Sequence, residues 1–461
     1  MYPVIVLTLT AILGLYLGLY PKTKPLALPI NLLGILTSIV ISVYSWDHPS
    51  PLYFSMIHSD HYSIAYSIAI LVATGLIMAI SKKSLGQIST HITEYFSILM
   101  FSASGGLIMV SFQNLTMLFV GLEILSVSVY ILAGIEKKNK EGNEAALKYF
   151  LMGSFFTAIL LLGIAFLYGA TGTFNIHEMA GIIHHGKAIS AFLYLGVILV
   201  LIALCFKVSV APFHFWTPDV YEGSPILVTA FMSTVVKIAG FGAFLRLFSI
   251  SFPSITQELS GTLSILVILT LFIGNINALY QNSMKRMLAY SGISHAGFML
   301  MAILALGTLS SNAILIYAIG YSLATITAFG ILMVVNEEKG SSDFTAFYGF
   351  GKKNPVLAGM MAISMLSLAG IPLTAGFFGK FYIFSNTMDH RYIFLVGIGV
   401  INAIMGIFYY FRVIIAMFFV DSEHHFEELN ISFSLRFAFV LTTVVTIVLG
   451  FYPSLFANIL N

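Results

Sequence analysis

Apolar runs of about twenty residues follow one another along almost the whole chain, each as long as a helix needs to cross a hydrocarbon core of about 30 Å. Lipid offers the backbone no hydrogen bonds, so a chain built this way can be only a helix bundle or a closed barrel. Nothing alternates apolar and polar over ten-residue stretches, which sets the barrel aside. Of 461 residues, 59% are hydrophobic and 9% charged, against roughly a quarter charged in soluble domains. The 21 Lys+Arg and 19 Asp+Glu are too few to coat a water-soluble surface of this size, which excludes a soluble enzyme. The single cysteine, Cys205, excludes an intrachain disulfide and any cluster needing several thiolates from this chain. No basic region precedes the first apolar run, so no cleavable signal is expected.

Fourteen spans are expected, near 2–20, 26–45, 61–80, 94–112, 115–135, 144–170, 188–221, 224–249, 261–282, 285–307, 312–335, 355–388, 391–419 and 432–457. The distribution of Lys and Arg, which collect on the cytoplasmic side, tests this number. With sides alternating, one face receives Lys22, Lys24, Lys82, Lys83, Lys137, Lys138, Lys140, Lys285, Arg286, Lys339, Lys352, Lys353 and Arg436. The other receives only Lys187 and Arg391. One missed span would scramble that segregation, so both termini are expected outside, on the periplasmic side of a bacterial inner membrane. The acidic loop from Asp421 to Glu428 falls inside and adds little to the rule.

Two spans are too long. The segments 188–221 and 355–388 would each run about 50 Å as straight helix. Pro212 and Pro218 lie in the first and Pro372 in the second, and an interior proline breaks the helical ladder. Each segment is therefore expected to hold two half-helices around an unwound piece, as the fourth span of a unit of five. The expected organisation is a three-helix segment over 1–93, a five-helix repeat over 94–249, a second and inverted repeat over 261–419, and a last helix in 432–461. Such repeats are a transporter design that points to an ion path; tilted helices with ordinary proline kinks are the alternative.

Several charges are stranded at depth. Glu123 lies about ten residues from either end of its span, Lys207 sits five residues before Pro212, Lys237 is mid-span and Lys380 lies eight residues beyond Pro372. A charge at a helix centre costs about 2.5–3.5 kcal/mol on insertion scales, so pairing with Glu123 and loss of the amine's proton are the expected resolutions. An amine beside a carboxylate at variable distance is a switchable proton site; a static ion pair that fixes helix packing is the bland alternative. His295, near mid-depth, can relay protons between Lys237 and Lys380. His214 lies just past the first break. Lys148 either joins the path or snorkels to the interface, while Arg246 and Arg412 read as interfacial or packing residues. His184–His185 and His424–His425 fall in loops, and no nucleotide-binding Gly-rich unit is present.

The stretches LFVGLEILSVSVYILAG around Glu123, EAALKYFLMGSF (144–155), FKVSVAPFHFWTPDVYEGSP (206–225), KRMLAYSGISHAGF (285–298) and AGIPLTAGFFGKFYIF (369–384) carry a resemblance over about residues 94–420. The chain resembles the antiporter-like membrane subunits of proton-pumping NADH:quinone oxidoreductase (complex I), with WTPDVYEGSP closest to their N type. The resemblance implies proton translocation driven by redox chemistry in other subunits, with FMN, iron–sulfur clusters and quinone held there and none in this chain. It implies other membrane subunits as partners, and makes Glu123, Lys207, Lys237, His295 and Lys380 the family's ionisable positions, with Lys148 and Lys285 matching further basic ones. Two departures show: Leu373 follows Pro372 where paired prolines are usual, which predicts a less enforced break, and Gly292 replaces a common serine. A cation/proton antiporter subunit and a purely structural subunit are the competing functions.

Overall fold

The computed structural model describes residues 1–48, 54–88, 92–185, 190–307, 309–421, 428–429 and 431–454. Lys187, His424 and His425 lie outside the described residues, as does the loop between Asp421 and Glu428. Among the described residues the chain is all-helical, with no strand longer than an isolated bridge. The first helices are α1 (Tyr2–Gly18), α2 (Ala27–Asp47), α3 (His61–Ile88), α4 (Ile92–Ser111), α5 (Leu115–Ala133), α6 (Lys140–Thr171) and α7 (Ile176–His185). There follow α8 (Ala191–Lys207), α9 (Trp216–Gly223), α10 (Ile226–Ser233), α11 (Val235–Ser251), α12 (Pro253–Glu258) and α13 (Ser260–Leu279). The remainder are α14 (Met284–Leu304), α15 (Ser310–Lys339), α16 (Phe350–Lys353), α17 (Pro355–Ala369), α18 (Ala375–Asp389), α19 (Ile393–Phe418) and α20 (Phe433–Phe451).

Eleven of these stretches are long and apolar enough to cross a membrane, and α1, α8 and α17 are shorter apolar helices. The chain is a multi-pass membrane protein. Short polar side chains start several helices by accepting an orphan backbone N–H: Asn114 from Thr116 at α5, Asn139 from Gly142 at α6 and Ser190 from Leu193 at α8. Burial separates two kinds of helix that hydropathy alone does not distinguish. In α14, α15 and the α10–α11 stretch, 94% of the most apolar window is shielded by other helices, against 28% in α6 and 33% in α19. The first group is the centre of the bundle; α6 and α19 face outward.

Both overlong spans are interrupted. α8 stops at Lys207 and α9 resumes at Trp216, with Ser209 in the left-handed region at φ 65° and Pro212 inside the gap. Pro218 does not contribute to the break, because it lies in the first turn of α9, where a missing N–H has no helical partner to lose. The second gap runs from Gly370 (φ 83°) to Thr374. Leu373 there has φ 70°, an angle closed to proline, whose ring holds φ near −65°. The departure from paired prolines thus suits this gap and does not abolish it. Sequence patterning also missed a kink: the expected span 224–249 is divided at Thr234 (φ −109°, ψ −75°), three residues before Lys237.

Candidate functional site

The two gaps place amines at the same kind of position. Lys207 is the last residue of α8, at the negative end of that helix's dipole. Lys380, on α18, reaches back across its gap and donates to the terminal carbonyls of α17, Leu368 at 3.1 Å and Ala369 at 2.7 Å. Gly370 makes room for that reach, since a Cβ there would lie 2.8 Å from the Lys380 chain. A broken helix in a membrane exposes backbone groups able to hold a cation.

The expected ionisable residues are shielded to different degrees. Lys207 is 3% exposed, Lys237 2%, His295 4%, Lys380 6% and Lys285 8%. Glu123 is only half-buried, on the outward side of α5. Glu123 and Lys207 form no ion pair among the described residues, contrary to expectation. The Glu123 carboxylate accepts from the Thr157 hydroxyl at 2.8 Å, while the Lys207 amine donates to Ser126 Oγ at 2.8 Å and lies 5.7 Å from the centre of the Tyr149 ring. A cavity of about 10 Å³, lined by Ser126, Thr157 and Lys207, lies between the two hydroxyls. That is near the least volume that holds one water molecule.

At the centre, Lys237 donates to the backbone carbonyl of Gly292 on α14 and lies 5.5 Å from the Tyr321 ring. His295, one turn further along α14, has both ring nitrogens engaged: Nδ1 with Tyr317 Oη at 2.6 Å and Nε2 with Tyr410 Oη at 3.0 Å. Tyr410 Oη is in turn 2.5 Å from Ser291 Oγ. A neutral imidazole donates at one nitrogen and accepts at the other, so a ring held between two hydroxyls has the geometry through which tautomer exchange can carry a proton. Phe298 separates this cluster from Lys380, whose amine is 5.2 Å from its ring centre. Among the described residues no side-chain hydrogen bond joins Lys207 to Lys237, nor His295 to Lys380.

Lys285 and Lys148 lie at the opposite end of the bundle from Asp60, near the start of their helices. The Lys285 amine donates to the carbonyls of Glu222 (2.7 Å) and Ser224 (2.5 Å), at the floor of a vestibule of about 290 Å³ walled by Glu136, Glu141, Glu222 and Glu337. Lys148 is more exposed and pairs with Glu144 at 2.8 Å and Asp219 at 3.0 Å. Asp219 also meets Arg286 at 3.3 Å, so Lys148 belongs to a surface network apart from the buried line. Among the described residues His214 shares no hydrogen bond or ion pair with these groups, and its Nδ1 has no hydrogen-bond partner.

Arg246 and Arg412 are anchors near helix ends. Arg246, 2% exposed, pairs with Asp60 at 2.9 Å and donates to the Phe112 carbonyl at 2.8 Å. Burial alone would raise the Asp60 carboxyl, but the guanidinium and hydrogen bonds with Ser63 hold it below the ordinary carboxylate value. Arg412 donates to Gln281 O at 2.8 Å and stacks on Phe344. Nothing in the sequence pattern singles out Thr157, Tyr317, Tyr410 or Asp60, while Ser126 falls within the stretch around Glu123. Asp219 and Glu222 had a signal, since both fall within WTPDVYEGSP.

Comparison with known proteins sets this arrangement in context. Residues 112–406 match the family described as NADH:quinone oxidoreductase/Mrp antiporter, TM. The chain is 39% identical to the NADH-quinone oxidoreductase subunit N of Cytophaga hutchinsonii, over 98% of this chain and 97% of that one. It is 40% identical to the protein of the same name from Flavobacterium johnsoniae, over 94% of each. Among solved structures, a chain of respiratory complex I from Thermus thermophilus with bound aureothin superposes with a TM-score of 0.83 at 30% identity, covering 99% of this chain and 98% of that one. A chain of the Mrp complex from a Dietzia species shares the fold, with a TM-score of 0.87 at 20% identity over 100% and 96% of the two chains.

Proposed function

This chain belongs to the NADH:quinone oxidoreductase/Mrp antiporter transmembrane family, and from that premise we propose how its buried amines move protons. It is a proton-translocating membrane subunit of an NADH:quinone oxidoreductase, and the other membrane subunits of that complex are its partners. The redox groups, FMN, iron–sulfur clusters and quinone, belong in this reading to other subunits; the thiol present here, Cys205, is buried among apolar neighbours.

The chain crosses a bacterial inner membrane fourteen times with both termini on the periplasmic side. Eleven long apolar helices and three shorter ones support that number. Residues 94–249 and 261–419 form two inverted repeats, between the segment 1–93 and the last helix. Recurrent packing supports the repeats: α4 lies along α5 as α13 lies along α14, α6 along α8 as α15 along α17, and α4 meets α11 as α13 meets α19.

Protons are taken up from the cytoplasmic face, where the acidic vestibule above Lys285 and the surface pair Lys148–Asp219 gather them. Glu123 and Lys207 act as the switch, communicating through Thr157, the small cavity and Ser126. Lys237 and His295 relay along the bundle axis, and Lys380 releases to the outer side. The observation that carries this reading is that, among the described residues, Lys207, Lys237 and Lys380 are buried with no carboxylate in direct ion-pair contact, each ending on a hydroxyl or a backbone carbonyl. Unpaired amines in hydrocarbon are costly, and a merely structural role would have favoured paired charges or none.

The test is proton translocation by the intact complex in proteoliposomes carrying Glu123→Gln or Lys207→Ala. The reading expects full assembly with sharply reduced NADH-driven acidification. Wild-type acidification by both assembled variants would instead favour a structural subunit, and dependence of transport on sodium would favour a cation antiporter.

A further inference from the structure

Away from the relay, the bundle surface holds a crevice of about 450 Å³ between α3, α15 and α20, with Trp46 of α2 at one end. Its walls are almost wholly apolar. Along α3 it runs from Ala65 to Leu76 and along α15 from Leu315 to Ile326, in each case twelve residues, or about 16 Å of helix from first to last. That length is half of a hydrocarbon core of about 30 Å, the depth of one leaflet. Ala65, Ala69 and Ala73 recur every fourth residue and hollow the α3 wall, while Val72 and Leu441 stand exposed at the mouth. The end at Trp46 lies at the membrane boundary: Trp46 is in the last turn of α2, and its ring stacks on His61, the first residue of α3, at 4.7 Å. Tryptophan favours that headgroup level. At the floor, Ser322 is buried with a hydroxyl that has no hydrogen-bond partner among the described residues.

We propose that this crevice binds one acyl chain of a phospholipid from the leaflet in which α2 ends and α3 begins, with the headgroup beside Trp46 and His61. The dimensions fit a chain that enters at the interface and ends near mid-depth, and the apolar walls exclude a polar ligand. Its position gives the chain a task. Ile238 and Ser322 line the floor, and their chain neighbours Lys237 and Tyr321 belong to the buried line, with the amine 5.5 Å from the tyrosine ring. A single layer of residues thus separates the crevice from the relay, and a bound acyl chain seals that side against water. This site does not depend on the proposed direction or route of the protons.

The test uses the assembled complex in vesicles containing a phosphatidylethanolamine with a diazirine near the end of one acyl chain. Photolysis is expected to label peptides bearing Ile238, Leu76 or Ile326 above the level on the outward face of α6 around Leu161. Filling the crevice by Ala69→Phe or Ala73→Phe is expected to abolish the excess, and Leu161→Phe to leave it intact. Labelling no stronger than at α6, or undiminished in assembled Ala69→Phe and Ala73→Phe complexes, overturns the proposal. So does labelling of the same peptides by a photoreactive isoprenoid quinone that competes the phospholipid away. Should the filled variants not assemble, the comparison of crevice with α6 in the wild-type complex decides.

Discussion

Lys207 is held not by Glu123 but by Ser126, one helical turn further along α5, while Glu123 is held by Thr157 across the α5–α6 contact. Their hydroxyl partners, Ser126 and Thr157, both line a cavity of about 10 Å³ that Lys207 also borders. A separation through hydroxyls suits a switch, because a small displacement of either helix changes the coupling without breaking a tight ion pair.

Ser126→Ala should therefore uncouple the switch. It removes a hydrogen bond to a charged group, worth about 1.5–3 kcal/mol, or roughly tenfold or more in the population of the amine in its relay position. NADH-driven acidification is expected to fall by that order while assembly is unchanged, and Ser126→Thr should restore much of it. Equal acidification by Ser126→Ala and wild type would remove Ser126 from the path.

Gly292 should matter through space and not through chemistry of its own. A Cβ at this position would lie 2.9 Å from the Lys237 amine and 3.1 Å from Tyr321 Oη, so Gly292→Ala displaces the amine from the carbonyl it now uses. Translocation is expected to slow in Gly292→Ala and to recover partly in Gly292→Ser, whose hydroxyl offers the amine a replacement acceptor. Single-turnover proton uptake would read the difference.

Tyr317 and Tyr410 grip opposite nitrogens of His295. If the imidazole passes protons between them, Tyr317→Phe and Tyr410→Phe each interrupt the same route, and the double variant should be little worse than either single one. Independent, additive losses would indicate two packing roles and no relay.

Burial ranks the two lysines at the other end of the bundle. Lys285 is nearly enclosed and fixed by two carbonyls, whereas Lys148 is a partly exposed member of a surface ion-pair network, the kind of pair that contributes little. Lys285→Ala is expected to slow proton uptake markedly and Lys148→Ala only slightly. The reverse order would move the intake to the Lys148 side.

The Asp60–Arg246 pair should give the fold an acid-sensitive anchor. The Asp60 carboxyl titrates below its ordinary value in the folded protein, so it contributes stability above the unfolded value of about 3.9, lost as pH falls through the lower folded value. Asp60→Asn leaves a guanidinium that is 2% exposed without its carboxylate, a change that costs about 3–5 kcal/mol where a buried pair is broken. The melting temperature of the complex should drop at pH 7, and the gap to wild type should close only below about pH 4. A gap constant down to pH 3 would mean that the carboxylate's charge is not what anchors Arg246.

The primary sequence by itself determined the all-helical membrane fold, the two interrupted spans and the ionisable residues at depth. These follow from local terms: transfer of each side chain into hydrocarbon, and loss of a backbone donor at proline. It also overreached locally, since Pro218 reads as a breaker and sits harmlessly in the first turn of α9. Only the tertiary structure decided what each amine touches. Ser126, Thr157, Tyr317, Tyr410 and the Gly292 carbonyl are ordinary in a helix, and the chain has 23 tyrosines with nothing to mark two of them. Their roles come from packing between helices far apart in sequence: Lys207 meets a residue 81 positions away, and His295 one 115 positions away. In lipid, where apolar faces are nearly interchangeable, pattern alone does not fix which helix face meets which; close packing of the assembled bundle does.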